Sequence, residues 1–248
     1  MAHLESVDNA LLLVLLLAKG DRITVTEAAK ELGVSPSTAH RLLGTLVYRQ
    51  FAQQAGDRSY GMGPALLGLR GSQRSRTRLL DIGRPHLQQL TAVTNETSHL
   101  AILVHRQVRF LMSVESQQML RIGVRAGQVM PAHITAAGKA LLADLPQAEL
   151  DELYPADGIA EMDLDAAGVA AMHRELATVR RRGHAINRGT SERGLCAVAL
   201  PIRAGEDNRA IASVTLSVPS IRFRPAQVAE FIGAVHETVS ALAAELSA

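Results

Sequence analysis

Residues 24–48 hold the pattern that most narrows the folds open to this chain: a short capped helix, a glycine, and a second helix opened by serine and proline. Thr24 or Thr26 is placed to cap the first helix. Its inner side carries Ala28, Ala29 and Leu32, and Gly33 closes it. Ser35-Pro36 opens the second, since the N–H that proline lacks would go unbonded at the first helical position. Ala39, Leu42, Leu43 and Leu46 form an apolar stripe; Ser37, Arg41, Gly44 and Tyr48, flanked by Thr38, His40 and Thr45, form the other side. This is the helix-turn-helix pattern, whose second helix enters a major groove. A three-helix packing unit with a solvated face has the same periodicity.

The residues that follow favour the first reading. Phe51 to Gln54 and Ser59-Tyr60-Gly61, joined across Ala55-Gly56-Asp57-Arg58, read as a β-hairpin. A hairpin directly behind a recognition helix is a wing, and Arg58 at its tip is placed for a phosphate or the minor groove. With Ser35, Pro36 and Tyr60, the expected DNA-binding set is Ser35, Pro36, Ser37, Thr38, His40, Arg41, Thr45, Arg58 and Tyr60. Arg41 can pair with guanine, and the hydroxyls and His40 can reach bases or phosphates.

Charge divides along the chain in the same sense. The first 80 residues carry ten Lys and Arg against six Asp and Glu, the remainder 16 against 18. A basic unit on a near-neutral body points to a polyanionic partner for the first third alone. At the start of that unit, Val7, Leu11, Val14, Leu15 and Ala18 fall at helical spacing, and Leu12, Leu13, Leu16 and Leu17 make the opposite side apolar too. A helix apolar all round must bury both faces, so a second subunit is expected against one of them. The apolar run Ala10–Ala18 is well short of the ~20 residues of a membrane span. It also lacks a basic start, so no secretory signal is read and a cytoplasmic protein is expected.

Beyond residue 63 the reading alternates between helices and strands. Leu66 to Leu80 is helical and carries Arg70, Arg74, Arg76 and Arg78, with Gly68 and Gly71 as points of weakness. A basic linker beside DNA and a solvated helix face both fit it. A separate helix is expected from Ile82 to about Val93. Leu100–Val104 and Val108–Val114 read as an antiparallel pair; Ala136–Ala143 and Ala167–Arg182 as helices; Leu195–Ile202 and Ala210–Val218 as strands; Pro225–Leu246 as a closing helix. The arrangement suits an α+β fold, a mixed sheet with helices packed on it.

Enzyme chemistry is missing from the motifs. There is no phosphate-binding loop, Gly61-Met-Gly63 lacks the third glycine of a dinucleotide fingerprint, and Gly189 to Gly194 is one residue too long for a nucleophile elbow. The histidines have no metal-ligand spacing, and the single Cys196 forms neither a disulfide framework nor a multi-cysteine zinc site. No metal, cofactor or catalytic residue is therefore expected. The rival readings are a hydrolase using Cys196 or Ser191, for which nothing supplies a base, and a structural DNA-binding protein without a ligand, which leaves the large C-terminal part unexplained.

Several segments resemble the IclR-type bacterial transcriptional regulators. Val25-Thr-Glu-Ala-Ala-Lys-Glu-Leu-Gly-Val-Ser-Pro-Ser-Thr-Ala-His-Arg-Leu-Leu43 is similar to the family's helix-turn-helix and Tyr60-Gly-Met-Gly63 to the end of its wing. Ile82-Gly-Arg-Pro-His-Leu87, His133-Ile-Thr-Ala-Ala-Gly-Lys-Ala-Leu-Leu-Ala143, Arg182-Gly-His-Ala-Ile186 and Gly194 to Pro201 continue the likeness in order. The resemblance implies a winged helix-turn-helix domain over residues 1–63, a linker helix over 64–82 and a GAF-like effector-binding domain over 83–248. It further implies homodimers, often paired into homotetramers, on partly palindromic double-stranded operator DNA, with a small-molecule effector altering repression or activation.

Carried over residue by residue, the resemblance places the effector against Met130, His133, Thr135, Ala137, Gly138, Asn187, Leu195, Cys196, Ala197 and Ser217. Ala137-Gly138 matches a loop entering a helix N-terminus, a seat for a carboxylate. His133 stands at the rim or caps a helix. Asn187 falls where relatives often carry an acid, and Ser217 matches a strand hydroxyl. Cys196 stands one place before the family's usual cysteine, so either the strand register shifts or Cys196 is a packed thiol. A mostly apolar pocket with few polar anchors suits a small aromatic or aliphatic acid.

Overall fold

The computed structural model describes residues 4–20, 22–205 and 207–247; the side chains of residues 68–75, Arg70 and Arg74 among them, and Asp21 lie outside the described residues. The chain divides into two compact units, one ending at Arg78 and one beginning at Leu79.

The first unit runs α1 (Glu5–Ala18), α2 (Val25–Leu32), α3 (Pro36–Tyr48), β1 (Ala52–Gln54) and β2 (Tyr60–Met62). Thr24, not Thr26, caps α2. Its hydroxyl accepts from the Glu27 N–H at 3.3 Å while the Glu27 carboxylate accepts from the Thr24 N–H at 2.7 Å, a reciprocal capping box. Gly33 ends α2 at φ +66°, a left-handed conformation that glycine adopts without steric cost. Ser35 caps α3 and Pro36 takes its first position. Leu13 and Leu17 of α1, Ala28 of α2, and Ala39 and Leu43 of α3 are fully buried together, with Ala52 and Tyr60 from the hairpin. Truncating such a leucine to alanine costs about 2–5 kcal/mol.

Two helices were expected between residues 66 and 93; one, α4 (Pro64–Thr94), runs through Pro85. Proline removes one hydrogen bond, to the carbonyl of Asp81, and both residues lie on the exposed side where water can replace it. Gly83, Leu87 and Leu90 on the opposite side are buried and hold the helix in place.

The second unit continues through β3 (Thr97–Val104), β4 (Gln107–Val114), β5 (Val129–Pro131), α5 (Ala136–Leu142), α6 (Gln147–Leu153), β6 (Gly158–Ile159), β7 (Leu164–Asp165), α7 (Ala166–Arg182), β8 (Ala185–Arg188), β9 (Leu195–Ala204), β10 (Arg209–Pro219) and α8 (Pro225–Ser247). Among the described residues the main sheet has the order β5-β4-β3-β10-β9-β8. The α+β architecture is as expected, but every ladder in this sheet is antiparallel, where mixed directions had been read. Hairpins make most of the ladders, and the helical segment between β5 and β8 delivers the chain to the far edge.

Alternation along β9 and β10 sets the two faces of the sheet. Val198, Leu200, Ile202, Val214 and Leu216 pack with Leu87, Leu90, Val235 and Leu242 on one side. Leu195, Ala197 and Ala199 face the other, with Ala136, Ala140 and Leu176. This second face is unusual in carrying polar side chains under α5: Thr97, His99, Ser213, Thr215 and Ser217 are all buried.

Candidate nucleic-acid interface and small-molecule pocket

The outer side of α3 is open along its length. Ser35, Pro36, Ser37, Thr38, His40, Arg41, Gly44, Thr45 and Tyr48 are exposed, whereas Ala39, Leu43 and Leu46 are buried. Capping organises the first turn: the Ser35 hydroxyl accepts from the Thr38 N–H at 3.2 Å and lies 2.9 Å from the hydroxyls of both Ser37 and Thr38. Thr45 turns its hydroxyl back onto the Arg41 carbonyl at 2.9 Å. The Arg49 guanidinium sits 5.1 Å over the Tyr48 ring, so the far end of α3 also presents a cation, which the sequence reading left out.

The hairpin turn is built around Asp57. Its carboxylate accepts from the Ser59 hydroxyl at 2.6 Å and N–H at 3.0 Å, which holds its pKa below the usual carboxylate range. Arg58, at φ +64°, stands exposed at the tip. Tyr60 does not belong to this surface. It is 3% exposed, inside the core, and its backbone pairs with Ile23 in both directions at 2.8 and 2.9 Å. Ala52 and Tyr60 both turn inward, so Tyr60 ties the wing to the residues before α2 rather than meeting DNA.

In the second unit, Met130, Thr135, Ala137, Asn187, Leu195, Ala197 and Ser217 surround a cavity of about 20 Å³, joined by Phe110, Arg125, Ala136, Ser191 and Thr215. Asn187 is its structural hub. Its amide donates to the Ile134 carbonyl at 3.0 Å and the Ser191 hydroxyl at 2.8 Å, and its carbonyl accepts from the Thr190 N–H at 3.0 Å. The Thr215 hydroxyl is buried at the cavity wall with no hydrogen-bond partner, and Ser213 and His99 Nε2 on the same face are in that state too. Buried polar groups of this kind are uncommon and costly. His99 Nδ1 lies 2.8 Å from the Ser113 hydroxyl, and burial, with the Arg125 charge, pushes its pKa down to about 3. It is therefore a neutral imidazole at physiological pH.

Three expected pocket residues stand elsewhere. Gly138 does not line the cavity: it is wedged on Ala132, and its N–H donates to the capping Thr135 hydroxyl at 3.0 Å. Cys196 projects from the opposite face of β9, packed with Val198 and Val218, and burial raises its thiol pKa. Strand alternation thus answers the register question in favour of a packed thiol. His133 lines a separate open cleft of about 1300 Å³, where its ring meets Tyr154 edge-on at 6.0 Å. Glu149, Glu152, Glu161 and Asp163 line that cleft against one guanidinium, Arg106, so its net charge is negative and disfavours an anion despite its size.

The family model for the IclR helix-turn-helix domain matches residues 6–56, and that for the bacterial transcriptional regulator IclR C-terminal domain matches residues 72–244. The chain belongs to the IclR family of bacterial transcriptional regulators. Among IclR-family proteins it is 30% identical over 243 residues to the HTH-type transcriptional regulator BhcR of Paracoccus denitrificans, covering 96% of this chain and 86% of that one. It is 28% identical to the transcriptional repressor IclR of Escherichia coli, covering 92% and 85%. The fold matches an IclR homologue from Microbacterium hydrocarbonoxydans solved in complex with 4-hydroxybenzoate, at a TM-score of 0.59 and 22% identity over 96% of this chain and 98% of that one. As an IclR-family regulator it carries a helix-turn-helix unit for DNA. Among the described residues no helix is long and apolar enough to cross a membrane.

Proposed function

We propose that this regulator is a cytoplasmic repressor, not an enzyme, that binds partly palindromic operator DNA through α3 and the wing and answers to a small organic acid held in the cavity beneath α5. The observation that carries the reading is the division of α3: its apolar stripe is buried while Ser37, His40, Arg41 and Thr45 are all open. In the groove, Arg41 reads a base edge, and Arg58 and Arg49 hold phosphates. Residues 1–63 act as the DNA-binding domain, 64–82 as linker and 83–248 as the effector domain.

The working unit is a homodimer that pairs into a tetramer. Supporting this, Leu4 before α1 and Val7, Leu11, Leu12 and Leu15 on it are exposed, an apolar strip that a second copy would cover. The acid binds where Asn187, Ser217 and the unpartnered Thr215 converge under a largely apolar wall. The homologue's complex with 4-hydroxybenzoate supports an aromatic acid as the first to test. A ligand favouring one arrangement of the effector domains shifts the spacing of the recognition helices. A coupling of about 1–3 kcal/mol changes operator affinity roughly 5- to 150-fold. The test is a mobility-shift series on DNA upstream of the neighbouring genes, with and without a panel of aromatic and aliphatic carboxylates. Release of specific DNA by one acid supports the reading; retention with every acid refutes the effector part, and failure to prefer any upstream DNA refutes the whole.

A further inference from the structure

Two loops meet at the mouth of the cavity through one ion pair. Arg125 comes from the loop between β4 and β5, Glu192 from the loop between β8 and β9, and Arg125 Nη2 donates to the Glu192 carboxylate. The two partners differ in setting. The Arg125 side chain is 14% exposed, that of Glu192 58%. Arg125 is held on the pocket wall: its N–H donates to the Ser113 hydroxyl at 3.1 Å, and Nη1 reaches Gln128 Oε1 at 3.3 Å and the Met130 sulfur at 3.5 Å. Glu192 follows Ser191, whose hydroxyl accepts from Asn187 at the cavity.

A largely buried guanidinium needs an anion beside it, whereas a half-exposed carboxylate returns to water cheaply. Arg125 lines the same cavity as Thr215, 3% exposed with its hydroxyl unpartnered, so a charged donor and an uncommitted hydroxyl face one space. A space of about 20 Å³ admits little more than a water molecule. An organic acid therefore needs the cavity wall to move, and the Arg125–Glu192 pair links two of the loops beside it.

We propose that Arg125 is the residue that selects an acidic effector, and that Glu192 is the internal carboxylate the effector exchanges for its own. The exchange keeps the guanidinium paired throughout while it frees the loop carrying Glu192. This rests on the reading of the cavity as the effector site and adds to it the group that chooses charge. Guanidinium is suited to the task because its planar fork takes a carboxylate through two parallel bonds.

The experiment titrates the full chain with the carboxylate panel, headed by 4-hydroxybenzoate, and with the matching neutral amides, using isothermal calorimetry. Arg125→Gln is expected to weaken acid binding about tenfold to a hundredfold without weakening amide binding. Glu192→Gln is expected to tighten acid binding about two- to fivefold by removing the competitor. Arg125→Lys retains the preference for acid over amide, which separates charge selection from loss of structure. Equal losses for acid and amide in Arg125→Gln, or weaker acid binding in Glu192→Gln, overturn the inference while the effector reading stands. Binding of no acid by the unaltered chain overturns both together.

Discussion

Gly138 lies so close to Ala132 that a Cβ on the glycine would stand 2.2 Å from the Ala132 carbonyl oxygen. The obstacle is backbone, so it cannot turn aside as a side chain would. This contact packs α5 against the turn that leads into it, which makes Gly138 a packing residue rather than a ligand contact. Gly138→Ala should destabilise the second unit by about 3 kcal/mol, the upper range for overpacking. Denaturant unfolding measures it; a loss below half that value would mean that α5 shifts freely.

Arg41 and Arg58 should separate by the kind of contact each makes. Arg41→Ala is expected to cost about 1–3 kcal/mol and relax sequence preference at one base pair. Arg58→Ala should weaken binding to all sequences alike and lower the salt slope by about one. Fluorescence anisotropy on an operator series at two salt concentrations reads both. Uniform weakening by Arg41→Ala would reassign it to a phosphate.

The exposed strip of α1 predicts the effect of a charge placed in it. Leu15 is 62% exposed, so Leu15→Glu should leave the unfolding free energy of the dissociated chain within about 0.5 kcal/mol of the original, as for surface changes generally. The same change should shift the sedimentation profile toward monomer. Loss of stability without loss of association would place Leu15 inside the fold.

His99 gives the protein a pH dependence with a definite sign. Its imidazole titrates at about 3 in the folded protein, against about 6.5 when unfolded. Between those values the unfolded chain binds a proton that the folded chain refuses. The stability is complete above the unfolded value and falls as pH drops through 6.5. By pH 5 the loss is on the order of 2 kcal/mol. Burial lowers His133 and His184 in the same direction. Urea unfolding at pH 7 and pH 5 should show the drop in the unaltered protein and a smaller one in His99→Gln; equal drops would clear His99 of the effect.

The recognition helix was readable from sequence because its signals are local: Ser35 caps, Pro36 starts, and the period of Ala39, Leu43 and Leu46 gives the inner face. Tyr60 was misplaced because a three-residue strand has too few positions to reveal which way its side chains alternate. The helices expected over Leu66–Leu80 and from Ile82 are one, because the bond that Pro85 lacks falls on the wet side, which the sequence alone does not tell. The cavity was legible only in part. Asn187, Ala197 and Ser217 lie on strands with clear apolar patterns, and alternation alone separates Ala197 from Cys196. Arg125 and Thr215 reach the cavity through contacts between distant segments, and the loop holding Arg125 has no periodicity to mark it. The partnerless hydroxyl of Thr215 becomes visible only once neighbouring strands and α5 are in place.

Hydroxyl-radical footprinting of the full chain on upstream DNA puts the whole account at risk in one experiment. Two α3 helices in successive major grooves should protect two patches about one helical turn apart, ~34 Å, and the pattern should weaken when the effective acid is added. Continuous protection along the duplex, or protection indifferent to sequence, would contradict it.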